Sequence, residues 1–168
     1  MQKQDEDIES IAYCGLYCGN CFIHAGKVAD LARDLRKELR EVRFDKSVEA
    51  LSKTPFFDVF KGYPACYEVL GALVKLRCKL TCRNGGGPPN CEIRNCCRKK
   101  GIDGCWQCAE FQRCQKLEFL SVGHGDAHLK NLRTLNRKGV SAFLSGGPLW
   151  YSKPKEQIAR QKKPDEDQ

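Results

Sequence analysis

Apolar residues recur at helical spacing in three stretches of the chain. Between Gly26 and Phe44 they fall at steps of three and four residues, which predicts a helix with one apolar stripe. The members of this stripe are Val28, Leu31, Leu35, Leu39 and Val42. A second helix is predicted to start at Pro64, and a final helix to run from an N-cap at Asp126 to a stop at Gly139.

The middle of the chain lacks this periodicity. No helix or strand is predicted from Cys78 to Gly104, and the run Gly85-Gly86-Gly87-Pro88-Pro89 works against either. So long an irregular stretch in a compact domain requires an organiser, and bound metal would serve. We therefore predict a mainly α fold. It is a small single domain of about four to five helices around a loop-rich, cysteine-coordinated metal centre, with few or no strands.

The ends of the chain differ from its centre. Residues 1–12 are predicted to form an acidic flexible tail, residues 13–145 the cysteine-rich metal-binding domain, and residues 146–168 a charged flexible tail. The first ten residues are acidic and lack the apolar stretch of a signal peptide, so we expect a cytoplasmic protein. The longest aliphatic run, Val69 to Val74, is too short to cross a bilayer, and no membrane contact is expected.

Cysteine makes up an unusual share of the composition. The chain has 12 cysteines among 168 residues, and they are included in its hydrophobic share of 41%. Without them about a third of the chain is apolar, which is lean for a globular domain. Disulfides are rare in the reducing cytoplasm, so metal ligation is favoured over a disulfide framework as the further source of stability.

The net charge of +8 is concentrated in the same region as the cysteines. Residues 75–100 hold eight basic residues and one acid, a net +7. Such a stretch could bind nucleic acid or an acidic protein. A zinc ion held by four thiolates carries a net charge of −2, so we favour local neutralisation of metal sites and keep those partners as the alternative.

The spacing of the cysteines matches the way zinc sites are built, in which a short turn supplies two sulfurs and two such turns close a tetrahedron. Two pairs have the C-x2-C spacing and two are looser. They are Cys18 with Cys21, Cys105 with Cys108, Cys91 with Cys96, and Cys78 with Cys82. Several pairs in one short chain indicate metal, but they do not identify it.

Our preferred partition has two zinc sites. The first is predicted to use Cys14, Cys18, Cys21 and Cys82, and the second Cys91, Cys96, Cys105 and Cys108. His24 is an alternative to Cys82. His124 and His128 are interpreted as surface residues rather than ligands.

Two further cysteines, Cys114 and Cys97, lie close in sequence to these predicted ligands. Cys108 and Cys114 would point about 240° apart if both were helical, so they are not expected to share an ion. Cys114 is in step with the apolar residues around it and is as consistent with core as with ligation. Of the neighbours Cys96 and Cys97, one is expected to ligate and the other to pack.

Iron is the main alternative to zinc. The spacing Cys14-x3-Cys18-x2-Cys21 resembles that of the radical SAM enzymes, but this chain is too short for their barrel. An iron–sulfur cluster in a simple redox protein is the more plausible form of this alternative. We find no paired carboxylates, no nucleophile elbow and no specific Cys–His catalytic spacing, so a non-enzymatic protein is favoured.

Several phrases of the chain resemble a cysteine-rich prokaryotic family of unknown function that is described as zinc-binding. The phrases are Cys14-Gly-Leu-Tyr-Cys-Gly-Asn-Cys21, Cys91-Glu-Ile-Arg-Asn-Cys96, Lys100-Gly-Ile-Asp-Gly-Cys105-Trp-Gln-Cys108 and Phe111-Gln-Arg-Cys114-Gln-Lys-Leu117. The resemblance covers roughly residues 12–144 and implies metal ligation at these cysteines, with no known reaction. The chain departs from the family at Cys78, whose role stays open, and Cys66 and Cys97 lie outside the pattern.

Together these features predict a zinc-binding protein that acts as a non-enzymatic binding or regulatory module with structural, cysteine-ligated zinc. An iron–sulfur redox protein and a basic nucleic-acid-binding protein are the alternatives.

Overall fold

A computed structural model of the chain describes residues 8–153. Within that range there are seven α-helices, several short 3-10 helices and isolated bridges in place of strands, so the predicted mainly α fold is confirmed. The helices are α1 Phe22–Ala25, α2 Lys27–Glu41, α3 Phe44–Leu51, α4 Tyr63–Lys75, α5 Glu92–Lys100, α6 Leu120–His124 and α7 Ala127–Ser145. Five of them have eight residues or more, in line with the predicted four to five. No helix in the described range is long and apolar enough to span a membrane.

Helix α5 lies where no regular structure was predicted. Its nine residues bury only two apolar side chains, Ile93 and Cys97, one turn apart, and this is too short a pattern to detect as periodicity. The two ends of α5 instead carry residues that are typical of helix termini. Glu92 occupies the first turn, three basic residues the last, and Gly101 caps the end with a left-handed φ of 64°.

The chain divides into two compact units. The first takes the described residues up to Cys21 and from Leu80 onward, and the second is Phe22–Lys79. The first unit has a continuous core around Ile11, Leu117, Leu132 and Phe143.

Asn131 ties the first unit together from within α7. Its amide nitrogen donates to the carbonyls of Gly15 and Leu149 at 2.9 and 2.8 Å, and its oxygen accepts from the Leu149 amide at 3.1 Å. Gly15 has a φ of +83°, and a Cβ there would lie 2.9 Å from Leu132. Only glycine therefore lets the Cys14 turn approach α7 this closely.

The second unit is a helix pair, α2 with α4, joined by α3 and the 3-10 helix Pro55–Gly62. The predicted apolar stripe of α2 does not form its buried face: Leu31 is 60% exposed, and Val28, Leu35 and Val42 are exposed too. The buried apolar side chains of this unit, which is described throughout, are Ala29, Ala32 and Val48.

Arginine contacts explain this orientation of α2. The Arg36 guanidinium donates to the Tyr67 carbonyl and lies 3.9 Å from the centroid of the Tyr67 ring, while Arg40 donates to the Tyr67 hydroxyl at 3.0 Å. These contacts turn the face with Arg36 and Arg40 toward α4. The apolar stripe lies about a third of a turn away around the helix.

The last helix starts as predicted after Asp126 but does not end at Gly139. It kinks there, with a φ of 78° and ψ of 178°, and continues to Ser145. Beyond it, the Trp150 carbonyl contacts His124 Nδ1 at 2.8 Å and the Ser152 amide donates to the His124 carbonyl at 3.1 Å.

The predicted tails at 1–12 and 146–168 overlap the described range only in part. Folded contacts in the first unit extend from Ile8, whose carbonyl accepts from Arg83, to Ser152. Residues 1–7 and 154–168 lie outside the described residues.

Candidate metal centre

Ten of the twelve cysteines belong to the first unit. The other two, Cys66 and Cys78, belong to the second unit. The Cys66 side chain is exposed. The thiol chemistry is therefore concentrated in the first unit.

Five of these thiols line one cavity of about 620 Å³ in the first unit. They are Cys96, Cys97, Cys105, Cys108 and Cys114. Helix α5 supplies two of them. The others flank the 3-10 helices Cys105–Gln107 and Phe111–Arg113, whose buried Trp106 and Phe111 anchor this stretch in the core.

The sulfurs of Cys97 and Cys105 lie 3.7 Å apart in this cavity. Two sulfurs at tetrahedral corners around zinc, each about 2.3 Å from the metal, would be about 3.8 Å apart. The hydrogen bond shared by the two thiols lowers the pKa of Cys97 and raises that of Cys105. The pair thus has the spacing of two ligands of one ion.

A charged lysine faces the same cavity. Lys100 Nζ donates to the Cys108 sulfur at 3.5 Å, and this contact raises the pKa of Lys100. The contact places a positive charge beside one of the predicted ligands.

A second group of thiols consists of Cys14, Cys82 and Cys91. Burial raises the pKa of Cys14 to about 12, and the neighbouring Cys82 and Cys91 add to this increase. Burial also raises the pKa of Cys82, while Arg94 opposes the rise. Burial therefore favours the neutral form of Cys14 and Cys82, and Arg94 opposes this effect in part at Cys82.

Arg94 is the organiser of the irregular segment that precedes α5. Its side chain is buried, with 3% of the residue exposed. The guanidinium donates to four backbone carbonyls at 2.7–3.1 Å, those of Cys82, Gly86, Pro88 and Pro89. A buried arginine thus holds the Gly-Pro segment in place, a role that sequence reasoning had assigned to metal alone.

Other basic residues between 75 and 100 are also engaged within their own units. Arg83 donates to the carbonyls of Ile8, Ile11 and Asp103 at 2.6–3.0 Å, and Arg98 donates to the Arg83 carbonyl at 2.8 Å. In the second unit, Arg77 pairs with Asp30 at 2.7 Å. Much of the positive charge in this stretch is therefore used inside the fold.

The structure groups the predicted ligands differently from the two sites expected from spacing. Cys96, Cys105 and Cys108 do line one cavity, together with Cys97 and Cys114, while Cys91 lies with Cys14 and Cys82. Cys18 and Cys21 flank the ends of the 3-10 turn Cys18–Asn20, where the Cys21 amide donates to the Cys18 carbonyl at 3.1 Å. Among residues 8–153, no three His, Cys, Asp or Glu side chains are already gathered in ligating geometry. The ligand assignment therefore stays a prediction.

Cys114 was set apart from Cys108 on the premise that both were helical. Both instead have extended backbone angles, with ψ of 127° at Cys108 and 110° at Cys114, and so they can face one cavity. The six-residue spacing carried no signal for this arrangement.

One histidine is buried rather than exposed as expected. His128 is 1% exposed, its Nδ1 has no hydrogen-bond partner, and burial lowers its pKa. It lines a small cavity of about 120 Å³ that also includes Cys114. His24, the alternative ligand, belongs to the second unit. The position of His128 one turn from Leu132 was the signal that it faces inward.

Comparison with known proteins gives one match. The profile of the family described as Protein of unknown function (DUF3795) matches residues 10–119. The chain belongs to the DUF3795 family. This confirms the predicted resemblance to a family of unknown function, and the match includes all twelve cysteines. No curated protein and no solved structure matches the chain.

Proposed function

We propose that this DUF3795 protein is a zinc-binding module in which cysteine-ligated metal stabilises the first unit. The observation that supports this most directly is the cavity with five thiols, in which the Cys97 and Cys105 sulfurs have the separation of two ligands around zinc. Thiolates are the soft donors that zinc prefers in structural sites. We propose no reaction.

The residues of the cavity define the first site. Cys97 and Cys105 provide two ligands, and the remaining two come from the other thiols that line it. Those thiols are Cys96, Cys108 and Cys114. The Lys100 ammonium offsets part of the negative charge that four thiolates bring.

The second thiol group is proposed to hold a second ion. Cys14, Cys82 and Cys91 supply three ligands, and Cys18 or Cys21, from the same turn region as Cys14, supplies the fourth. Arg94 lies beside Cys82 and favours its thiolate. Bound metal would replace the protons that burial now holds on Cys14 and Cys82.

The metal content of the purified protein tests this proposal. Protein expressed without added metal and purified under reducing, oxygen-free conditions should contain about two zinc ions per chain and have no visible absorption. Detection of iron with acid-labile sulfide, together with a visible absorption band, would instead indicate an iron–sulfur cluster at the same thiols. The absence of any bound metal would refute the proposal.

The nucleic-acid alternative receives less support. It requires basic side chains that are available to phosphate, whereas Arg83, Arg94 and Arg98 donate to backbone carbonyls. Binding to DNA or RNA that weakens steeply with added salt would restore it. Lack of binding at low salt would eliminate it.

A further inference from the structure

The Cys97–Cys105 pair is suited to a second kind of chemistry. The two sulfurs are 3.7 Å apart, and both side chains are buried in the core of the first unit. They nevertheless line the 620 Å³ cavity, whose rim includes the exposed residues Lys100, Glu110 and Arg113. A small reagent that enters this cavity would meet two adjacent thiols.

We propose that Cys97 and Cys105 are a modification site, at which a small-molecule disulfide converts the two thiols into an internal disulfide. The Cys97 thiolate attacks one sulfur of the reagent, and the sulfur–sulfur bond of the reagent breaks to release one thiolate. Cys105, after losing its proton to solvent, then attacks the Cys97 sulfur and displaces the second thiolate. Overall, the two protein thiols are oxidised by two electrons, and one small disulfide is reduced to two thiols.

The backbone at both cysteines of the pair is hydrogen-bonded to other parts of the first unit. The Ile102 amide donates to the Cys97 carbonyl at 3.1 Å, and the Cys105 amide donates to the Tyr13 carbonyl at 2.8 Å, so hydrogen bonds hold the chain beside both cysteines. Formation of the bond requires the sulfurs to approach from 3.7 Å to about 2.05 Å.

Oxidation would also regulate the proposed metal site, and this part of the inference rests on the proposed function. The same two sulfurs cannot ligate zinc and be joined in a disulfide. Cross-linking therefore removes two ligands from the cavity and releases its ion, while bound zinc protects the pair from oxidation.

The test uses the protein as purified, treated with oxidised glutathione, with zinc release followed by a chromogenic chelator and cross-links mapped by mass spectrometry. Trypsin places Cys96 and Cys97 on the peptide 95–98, and Cys105 and Cys108 on the peptide 101–113. Fragmentation within the joined peptides must therefore assign the bonded sulfurs. We expect Cys97–Cys105 as the predominant cross-link, with a loss of two titratable thiols and the release of one zinc ion.

Matched variants separate the two parts of the inference. Cys97→Ser should abolish the cross-link, whereas Cys96→Ser, one residue away in the same cavity, should retain it. A predominant cross-link between any other cysteines in the wild-type protein would overturn the modification site, even if zinc binds as proposed. Formation of the Cys97–Cys105 cross-link without release of metal would leave the site standing and count against the proposed ligands.

Discussion

The two units of this chain reach their order in different ways. The first surrounds a continuous apolar core with buried polar groups of specific function, of which Arg94 and Asn131 are the clearest. The second is a pair of helices that buries only small or medium side chains and leaves Leu31 and Phe56 largely in water. The cysteines follow this division, ten in the first unit and two in the second.

This difference separates two kinds of information in a sequence. Helical periodicity located α2 but not the face that it buries. The cysteine phrases, in contrast, marked a region whose fold depends on individual side chains, where single substitutions should have large effects. Substitutions in the two units test this contrast.

Loss of Cys105 should have the largest effect, because its sulfur is buried in the five-thiol cavity and pairs with Cys97. We expect Cys105→Ser to lose one zinc ion and to destabilise the first unit by about 2.7 kcal/mol or more, the contribution of a ligand present at 100 times its Kd. Metal analysis and denaturant unfolding measure both.

The matched control is Cys66→Ser in the second unit, where the thiol is exposed. It should change neither metal content nor unfolding midpoint. Equal behaviour of the two variants would argue that the thiols of the cavity have no special role.

Leucine truncations compare the apolar packing of the two units. Leu132 in α7 is fully buried, so Leu132→Ala should cost about 2–5 kcal/mol. Leu31 in α2 is exposed, so Leu31→Ala should cost less than about 0.5 kcal/mol. Chemical unfolding followed by circular dichroism measures both. A large loss at Leu31 would show that the apolar stripe of α2 is covered in solution.

Arg94→Lys tests the arginine that holds the Gly-Pro segment. Lysine keeps the charge but cannot donate to four carbonyls from a planar fork, so we expect a loss of about 2–3 kcal/mol. Arg98→Lys is the control, since exposed Arg98 makes one such bond and should cost under about 1 kcal/mol. Similar midpoints for the two variants would contradict this role of Arg94.

A smaller effect is expected from the acid titration of His128. Burial lowers its pKa in the folded state, so the unfolded chain takes up the proton first as pH falls. Its contribution to stability is therefore complete above the unfolded pKa of about 6.5 and declines below it. His128→Gln should reduce the slope of unfolding midpoint against pH between 7 and 5, an interval chosen around that pKa. An unchanged slope would indicate that His128 is solvated.

The predictability of the fold follows the same division. The helix starts near Pro64 and Asp126 could be predicted because capping and first-turn preferences depend on neighbouring residues alone. Helix α5 was missed because nine residues with two buried apolar positions leave no periodicity to detect. The orientation of α2 depends on Arg36 and Tyr67, which are 31 residues apart, and no local pattern records such a contact.

The candidate site was predictable to a similar degree. Spacing did not predict how the structure groups the thiols, because Cys91 is the N-cap of α5 whereas Cys96 lies within the helix, and the two face different neighbours. Nothing in the run of basic residues around Arg94 indicates that its side chain is buried. Arg94 follows two prolines, which have no backbone N–H to donate. This is the one feature that could have suggested a side-chain donor.

Exhaustive chelation under reducing conditions tests the central claim most directly, because both tryptophans of the chain, Trp106 and Trp150, lie in the first unit. Removal of metal should shift their fluorescence toward that of solvated indole and lower the thermal midpoint of the first unit, while helical circular dichroism from α2 and α4 persists. Protein verified to be free of metal that keeps its tryptophan emission and its thermal transition would contradict the account.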